Sequence, residues 1–385
     1  MKKKITIFGS TGSIGQSTLD IIQNHPDKYE VVGLSANKNY QKLNEQVEIF
    51  KPKIISIADE ESFKKFNDIN SSNIIVLNGK DSYDEILDFK TDIVIAAITG
   101  AVGLLPVVSV LNKGITLALA NKESLVCSGM LVTKIAKENN VKILPIDSEH
   151  NAIYQVLDFK NKSNVSKLIL TASGGPFLNH DNKDLEFVTP EQAIKHPNWS
   201  MGKKISIDSA TMMNKGLELI EACFLFDMPY EMVDILIHPE SIIHSCVEYI
   251  DGSILSQMGT PDMRTPISYT LAYPQRVKTN VKRLNLGEIG KLTFFNPCFN
   301  KFPCLELAYE SLKIQKSAPA VLNAANEIAV EEFLNNKIKF TSIPKIVEKT
   351  LNNTSFSELN SIKDVIEVDS ESRLLAHSLI KTGGF

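Results

Sequence analysis

The chain has 385 residues, of which 43% are hydrophobic and 22% charged, so the length predicts two or three globular domains. Its formal net charge is only −4, which gives no general attraction for nucleic acid, and no apolar stretch is long enough to span a bilayer. The five cysteines form no CxxC pair, so neither a zinc site nor a disulfide framework is indicated, and a cytoplasmic location is expected.

The first 147 residues alternate short apolar runs with amphipathic stretches. The runs that predict strands are Ile5–Phe8, Val31–Leu34, Ile54–Ala58, Ile74–Leu77, Ile93–Ala97, Thr116–Ala120 and Ile143–Ile146. The stretches that predict helices include Ser17–Gln23, Leu104–Asn112 and Ser124–Glu138. Strands that are apolar on both faces and alternate with helices indicate an α/β fold, with a Rossmann-like, doubly wound parallel sheet. The N-terminal MKKKITIFGSTG accordingly begins this sheet and is not a signal peptide.

The pattern changes after Asp147 and predicts two further domains. Residues 148–272 mix helices with the apolar runs Leu168–Ala172, Val233–Ile237 and Ser245–Tyr249, which predicts an α+β catalytic domain. Residues 273–303 are rich in Pro, Asn and Gly and are interpreted as a linker. Residues 304–385 predict a helical domain with helices at Leu305–Leu312, Ala320–Leu334, Ile343–Leu351 and Ser370–Ile380.

A glycine-rich turn, Gly9-Ser-Thr-Gly12-Ser-Ile-Gly15, follows the first strand and opens a helix. Glycine lets the backbone approach a pyrophosphate, and the helix N-terminus supplies free N–H groups. The turn therefore predicts a dinucleotide site. Because the spacing is GxxGxxG and not GxGxxG, a Gly-rich turn in an unrelated α/β protein stays an alternative.

The end of the second predicted strand indicates which dinucleotide is bound. An acidic residue there would bind the ribose hydroxyls of NAD, but the stretch Leu34–Asn39 contains none. Ser35, Asn37, Lys38 and Asn39 could hold a 2′-phosphate instead, which favours NADPH. On residue type alone, Lys38 could equally be a solvated lysine at a helix start.

Three carboxylates form a candidate metal site. Asp147 and Glu149 follow an apolar strand at the edge where open α/β sheets bind ligands, and residues two apart on an extended segment point to one side. Such oxygen ligands suit Mg²⁺ or Mn²⁺. Glu218 could supply the third carboxylate, because Asn214 and Glu218 are four apart and share a helix face beside Lys215. Asp208 or Ser209 is predicted to cap that helix.

The start of the same helix and two loops are candidates for substrate binding. Ser209, Asn214 and Lys215 together suit a phosphate ester. The turn after Ala172, Ser173-Gly-Gly-Pro, could be an anion-binding nest or only a tight turn. The only tryptophan, Trp199, lies in an unpatterned segment that predicts a lid over the substrate. His238 could approach the site, but a structural histidine is at least as good an interpretation.

In combination these motifs resemble the 1-deoxy-D-xylulose 5-phosphate reductoisomerase family. The resemblance rests on GSTGSIG (9–15), ANKES (120–124), DSEHNA (147–152), SGGPF (173–177), HPNWSMG (196–202), DSATMMNKGLE (208–218), HPES (238–241), PDMRTPI (261–267) and LNAANEIAV (322–330). These blocks span nearly the whole chain in order, and the longest of them are highly specific. The chain has Asn37 where the family pattern usually has Gly.

The resemblance implies roles for individual residues. The NADPH site would comprise Thr11, Gly12, Ser13, Ile14, Ala36, Asn37, Lys38, Asn39, Asn121, Glu123 and Gly202. The substrate site would comprise Lys122, Ser148, Glu149, Ser173, His196, Ser209, Asn214, Lys215 and Glu218. The metal ligands would be Asp147, Glu149 and Glu218, which with Lys122 and His196 form the catalytic set, while Trp199 and Met201 belong to the closing loop. Mg²⁺ or Mn²⁺ is expected, with Co²⁺ as a third candidate, and the active form would be a homodimer.

The implied reaction converts 1-deoxy-D-xylulose 5-phosphate to 2-C-methyl-D-erythritol 4-phosphate, in the non-mevalonate route to isoprenoid precursors. Lys122 and metal-bound water are both candidates for proton transfer. Two alternatives stay open from the residues alone. An NADP-dependent semialdehyde or sugar-phosphate dehydrogenase would not need the three carboxylates. A non-catalytic NADPH-sensing protein would bind NADPH but would not oxidise it.

Overall fold

A computed structural model of the chain describes residues 1–70, 72–79, 82–199 and 201–385. The strands are β1 Lys3–Phe8, β2 Tyr29–Ala36, β3 Ile54–Ile57, β4 Ile75–Asn78, β5 Ile93–Ala96, β6 Thr116–Leu119, β7 Ile143–Pro145, β8 Val165–Ala172, β9 Val233–Ile237, β10 Ile243–Tyr249 and β11 Ile254–Met258. The helices are α1 Ser13–Gln23, α2 Tyr40–Phe50, α3 Glu60–Ile69, α4 Tyr83–Leu87, α5 Leu104–Asn112, α6 Glu123–Glu138, α7 Ser148–Val156, α8 Pro190–Ala193, α9 Lys203–Ala210, α10 Met213–Phe226, α11 Arg264–Ala272, α12 Leu286–Ile289, α13 Pro303–Ile314, α14 Ala318–Leu334, α15 Ser342–Asn352 and α16 Ile362–Thr382.

The chain divides into two units. The first unit comprises Met1–Asn121, Val132–Asp147 and Met263–Val281. The second unit comprises Lys122–Leu131, Ser148–Asp262 and Lys282–Phe385. Within the described residues, none of the helices combines the length and the apolar character that crossing a lipid bilayer requires.

The first unit is built on a seven-stranded sheet with the order β4-β3-β2-β1-β5-β6-β7. Every neighbouring pair is parallel, and the strands next to the middle of the sheet are buried on both faces, as their apolar runs predict. All seven predicted strands are confirmed to within two residues at either end. The strand order reverses between β1 and β5, so the turn after β1 lies at the topological switch point, where such sheets bind ligands.

The turn after β1 requires glycine at two of its positions. Gly9 has φ +83, and a Cβ there would lie 2.7 Å from the Ala97 carbonyl oxygen. A Cβ on Gly15 would lie only 2.4 Å from the carbonyl oxygen of Ser10. The first turn of α1 therefore packs directly onto the loop backbone, and this close approach is what the glycine-rich spacing encodes.

We expect Gly15→Ala to destabilise the protein by about 1–3 kcal/mol, because its methyl group would overlap two loop carbonyls and force α1 outward. Urea unfolding without NADPH measures the effect. Gly12→Ala is the matched control, since Gly12 has φ −76 and its nearest neighbour would lie at 3.4 Å. Equal unfolding midpoints for the two variants would contradict the packing argument.

The second unit contains a four-stranded sheet with the order β11-β10-β8-β9. Strand β8 pairs in parallel with β9 and antiparallel with β10, so the sheet is mixed, as expected of an α+β domain. Strand β11 was not predicted. It is an edge strand whose first three residues are exposed, and such a strand has neither the apolar run nor the alternation on which the prediction depends.

The last part of the second unit is helical, as predicted. Helices α13 to α16 form a bundle that shares one hydrophobic core with α10 and the inner face of the sheet. Helix α16 begins at Ile362, eight residues before the predicted start, with Ser361 and Asp364 forming a capping box. Between the sheet and the bundle, α12 and one bridge between Ile237 and Phe295 give residues 273–303 some regular structure.

Candidate active site

The glycine-rich turn and the end of β2 have the form that the dinucleotide hypothesis requires. Gly12 precedes α1 and has no side chain, so no side-chain cap binds the first N–H groups of the helix. Thr11, Gly12, Ser13 and Ile14 are at least partly accessible. The absence of an acid after Ala36 leaves Asn37, Lys38 and Asn39 exposed there, and the Oδ1 of Asn39 caps α2 by accepting from the Lys42 N–H at 3.1 Å.

The remaining predicted cofactor residues are more buried. Asn121 donates from Nδ2 to the carbonyl oxygens of Ile98 and Gly100, which ties its segment to the loop after β5. Glu123 is buried at the start of α6 and forms an ion pair with Lys204. Gly202 is exposed immediately before α9. Cofactor contact by these residues stays a prediction.

Three carboxylates meet, as the metal hypothesis requires. One oxygen each from Asp147, Glu149 and Glu218 lies within 4.8 Å of the others. Mg²⁺–O bonds of about 2.1 Å place opposite ligands about 4.2 Å apart, so small side-chain adjustments suffice for one ion. The reasoning about an extended segment was wrong, however. Strand β7 ends at Pro145 and α7 begins at Ser148, so Glu149 reaches the cluster from the first turn of a helix.

Two lysines neutralise part of this charge. The Nζ of Lys122 lies 2.8 Å from Asn214 Oδ1 and 3.0 Å from Glu218 Oε1, and its side chain is 7% exposed. The Nζ of Lys215 contacts the other oxygen of Glu218 and lies 3.1 Å from Glu149 Oε1. Asn214 also donates to Glu218, which confirms that the two share a helix face. Ser148 completes the group by donating to Glu149 at 2.6 Å.

A second possible ligand group, which the sequence did not suggest, consists of Asp147, His150 and Glu221. The ring of His150 is fully buried, with Nε2 donating to the Glu218 carbonyl at 2.9 Å and Nδ1 lying 3.1 Å from Glu221 Oε2. The Nε2 hydrogen bond joins α7 to α10, and Nδ1 lies close to a second group of α10. This arrangement suits a structural pair better than a hard cation, which prefers oxygen ligands.

The predicted helix cap at Asp208 or Ser209 was wrong. Both residues lie in the last turn of α9, a separate helix, and α10 begins at Met213. Met212 joins the two helices with φ 61, a left-handed conformation that costs a non-glycine residue roughly 1–2 kcal/mol. The break presents Ser209 at the end of one helix and Asn214 at the start of the next.

The Ser173 turn is held in a defined hydrogen-bonding state. His196 Nδ1 accepts the backbone N–H groups of Asn198 at 3.1 Å and Trp199 at 3.0 Å, so the hydrogen of the neutral ring sits on Nε2. Nε2 then donates to Ser173 Oγ at 2.8 Å, and the Gly175 N–H donates to the same oxygen at 3.1 Å. The Ser173 hydroxyl hydrogen is thereby directed to donate, as binding an anion requires.

The Ser173 turn packs directly on Ser209. Gly175 has φ +69, and a Cβ there would lie 2.7 Å from the Ser209 carbonyl oxygen. Two hydroxyl groups that the sequence separately assigned to a phosphate ester therefore come from touching segments. Of the two interpretations of the turn, this contact favours the anion nest.

The loop around Trp199 is anchored at its base. Asn198 Nδ2 donates to the Pro239 carbonyl at 2.7 Å and to Ser241 Oγ at 2.9 Å. The Trp199 ring is half-buried, with its centroid 6.0 Å from that of His244. Within the HPNWSMG motif, Ser200 lies outside the described residues. That the loop closes over a substrate stays a prediction.

The two histidines of the HPESIIH segment have different environments. His238 is fully buried, its Nδ1 donates to the Thr293 carbonyl at 2.9 Å, and its Nε2 accepts from Ile242 and Ile243, which favours the structural alternative. His244, for which no role was predicted, is buried beside Trp199, and burial lowers its pKa to about 4. Burial likewise lowers the pKa of His196 to about 4.

We expect the low pKa of His244 to make the protein less stable in mild acid. The unfolded ring takes up a proton below about pH 6.5, whereas the folded ring stays neutral until about pH 4. The stabilisation is therefore complete above pH 6.5 and is lost as the pH falls. Linkage predicts that His244 lowers the free energy of unfolding by about 1 kcal/mol between pH 6.5 and pH 5.5. His244→Gln should remove this loss, and urea unfolding at the two pH values measures it. Parallel losses in wild type and variant would disprove this.

Known proteins match this chain over nearly its whole length. Models of 1-deoxy-D-xylulose 5-phosphate reductoisomerase match residues 5–129, and models of its C-terminal domain match residues 143–226 and 258–375. The chain is 48% identical over 382 residues to the 1-deoxy-D-xylulose 5-phosphate reductoisomerase of Geotalea daltonii, covering 99% of this chain and 100% of that protein. It is also 48% identical over 372 residues to that of Caldanaerobacter subterraneus subsp. tengcongensis, covering 96% and 97%.

Solved structures are similar over the same extent. The reductoisomerase from Zymomonas mobilis in complex with NADPH superposes with a TM-score of 0.92 at 46% identity, covering 99% of both chains. A structure in complex with NADPH, fosmidomycin and magnesium gives a TM-score of 0.93 at 43% identity, covering 98% of both. Because the identity is high and extends over the full length of these relatives, the chain belongs to the 1-deoxy-D-xylulose 5-phosphate reductoisomerase family.

Proposed function

We propose that the chain is an enzyme that uses NADPH and a divalent cation to convert 1-deoxy-D-xylulose 5-phosphate to 2-C-methyl-D-erythritol 4-phosphate, a step towards isoprenoid precursors. The observation that carries the proposal is the group of Asp147, Glu149 and Glu218 with Lys122 and Lys215 around it. A cofactor-binding protein without a reaction would have no need for this buried charge.

The residues present fit both cofactors. Asp147, Glu149 and Glu218 would hold Mg²⁺ or Mn²⁺, because their oxygens cluster within 4.8 Å and are ligands of the hard type. A bound cation supplies Lewis-acid stabilisation of negative charge on the substrate oxygens, and NADPH supplies the hydride. The glycine-rich turn would hold the pyrophosphate, with Asn37 and Lys38 near the adenosine end.

The side chains around these groups bind and orient the substrate. Ser173, Ser209, Asn214 and Lys215 hold the phosphate, while neutral His196 keeps the Ser173 hydroxyl in its donating state. Since the phosphate is remote from the reacting carbons, its binding energy can fix the substrate in register. Closure of the Trp199 loop would then exclude water from the reacting fragments.

Lys122 is the best-placed group for proton transfer. Its ammonium is buried, and the oxygens of Asn214 and Glu218 orient it at the carboxylate cluster. It can donate a hydrogen bond to a substrate oxygen on which charge develops, or exchange a proton with it. A fixed donor needs no reorganisation during the reaction.

NADPH oxidation with 1-deoxy-D-xylulose 5-phosphate, with and without Mg²⁺, tests the proposal. Turnover that EDTA abolishes and Mg²⁺ restores is expected. Turnover indifferent to EDTA would favour a simple NADP-dependent dehydrogenase instead. Cofactor binding without any oxidation would favour a sensing protein.

We further propose that the functional division from the sequence applies, with a cofactor domain at 1–147, a catalytic and dimerisation domain at 148–272, a linker at 273–303 and a helical domain at 304–385, and that the enzyme is a cytoplasmic homodimer. The packing units differ from this division, since residues 122–131 belong to the second unit and residues 263–281 to the first. Strand β11 is an edge of its sheet with Ile254 and Leu255 about half exposed, a surface that a second copy can cover. All five cysteines are free thiols, consistent with a reducing compartment. Analytical ultracentrifugation tests the dimer.

A further inference from the structure

A chain of buried polar groups connects the helical bundle to the substrate-binding helices. We call it the Lys204 network and define it as Glu123, Lys204, Asp208 and Asn326. Lys204 Nζ lies 2.7 Å from Glu123 Oε1 and 2.9 Å from Asp208 Oδ2. Asn326 of α14 donates from Nδ2 to the other oxygen of Asp208 at 2.8 Å. Three of the four side chains are nearly inaccessible, and Lys204 is largely so.

The Lys204 network is not expected to stabilise the fold more than apolar side chains would. Asp208 lies in the last turn of α9, where the partial negative charge of the helix terminus opposes a carboxylate. Two buried carboxylates also share one ammonium, and apolar side chains of similar volume are usually at least as stabilising as such groups. Burial would lower the pKa of Lys204, but Asp208 and Glu123 outweigh it and raise that pKa, so the ammonium stays charged.

The position of the network in the chain suggests what it does. Asp208 directly precedes Ser209, and Glu123 directly follows Lys122. Each buried carboxylate therefore belongs to a residue that is next in the chain to one that the proposed function places in the substrate site. Ser209 in turn packs its carbonyl oxygen against Gly175, so a small displacement of α9 would change the spacing between the Ser209 and Ser173 hydroxyl groups.

We propose that Asp208 and Asn326 are positioning residues that hold Ser209 in register with Ser173 for the phosphate group of the substrate. The inference rests on the proposed function. Asn326 of α14 holds Asp208 by a hydrogen bond, and Asp208 thereby fixes the end of α9. The helical bundle thus contributes to substrate affinity without contacting the substrate.

Asn326→Ala tests the proposal. We expect the KM for the sugar phosphate, and the Ki of inorganic phosphate as a competing anion, to rise about tenfold, because Asp208 loses a hydrogen bond that fixes the end of α9 beside Ser209. The KM for NADPH should stay unchanged. The matched control is Asn323→Ala, on the same helix and equally buried, whose amide donates to Glu327 Oε1 at 3.1 Å and contacts Cys127 instead of Asp208.

Thermal unfolding of both variants separates positioning from stability. We expect comparable losses of melting temperature, with the rise in KM and Ki confined to Asn326→Ala. The double variant Asp208→Asn with Asn326→Asp reverses the donor and acceptor and should restore part of the phosphate affinity. If Asn326→Ala does not fold, Asn326→Ser, which keeps a smaller donor, is measured in its place.

Equal kinetic constants for Asn326→Ala and Asn323→Ala would overturn the proposal. Failure of both Asn326 variants to fold would overturn it as well, because the residue would then serve stability alone. An inactive wild-type enzyme would instead contradict the proposed function. Inorganic phosphate binding to wild type and variants, measured by calorimetry, would still test the positioning role in that case.

Discussion

Replacing Glu218 by glutamine is expected to lower kcat on the order of 10³-fold and to abolish the response to Mg²⁺, while NADPH binding is retained. The glutamine keeps the shape of the side chain but removes the charge that would hold the cation. It also leaves the ammonium groups of Lys122 and Lys215, which both contact Glu218, with weaker partners. Steady-state kinetics over a Mg²⁺ series, with fluorescence titration of NADPH, measures both effects.

Glu221→Gln is the matched control for this experiment. Glu221 is a buried glutamate on the same helix, three residues further on, and belongs to the second possible ligand group with Asp147 and His150. We expect this variant to be less stable but to keep its Mg²⁺ response, because Glu221 pairs with His150. If Glu221→Gln loses the response while Glu218→Gln keeps it, the cation is bound by the second group.

Replacing Lys122 by methionine is expected to lower kcat by about 10²- to 10³-fold. Methionine preserves the length and the apolar stem of the side chain but removes the buried ammonium that Asn214 and Glu218 orient. Because the lysine is only 6% exposed, solvent cannot easily replace its charge. The KM for NADPH should change little.

The measurement is kcat as a function of pH for wild type, Lys122→Met and Lys122→Arg. Arginine keeps the charge, but its planar, larger head does not fit a site built for a compact ammonium, so we expect at most partial recovery. The urea unfolding midpoints of the variants show whether each one is folded. A Lys122→Met enzyme within twofold of wild type would exclude Lys122 from the chemistry.

Local regularities account for the parts of the fold that were predicted correctly. The seven strands of the first sheet are short, apolar and separated by helical patterns, and each of these signals is contained in a few consecutive residues. The GxxGxxG turn was recognisable because Gly15 is required by its contact with the loop backbone at Gly9 and Ser10. Edge strand β11 lacked such a signal, because an exposed strand needs no apolar pattern.

Interpretations that depended on where a helix begins were less successful. The assignment of Asp208 as a cap relied on residue type, but Asp208 instead faces Lys204 and Asn326 inside the protein. The left-handed residue that ends one helix and permits the next is Met212, a residue with no local tendency for that conformation. Glu149 came from a helix and not from an extended segment, yet it reached the predicted cluster.

The sequence by itself determined the class of fold, the family and the residue types of the site, because periodicity, glycine spacing and long motifs are properties of consecutive residues. Only the tertiary structure decided which groups meet: Lys122 with Glu218, Gly175 with Ser209, and Asn326 with Asp208. These pairs are separated by 34 to 118 positions, and a contact between distant residues depends on how whole elements pack. The burial that lowers the pKa of His244 and the contact of His196 with the Ser173 hydroxyl follow from that packing.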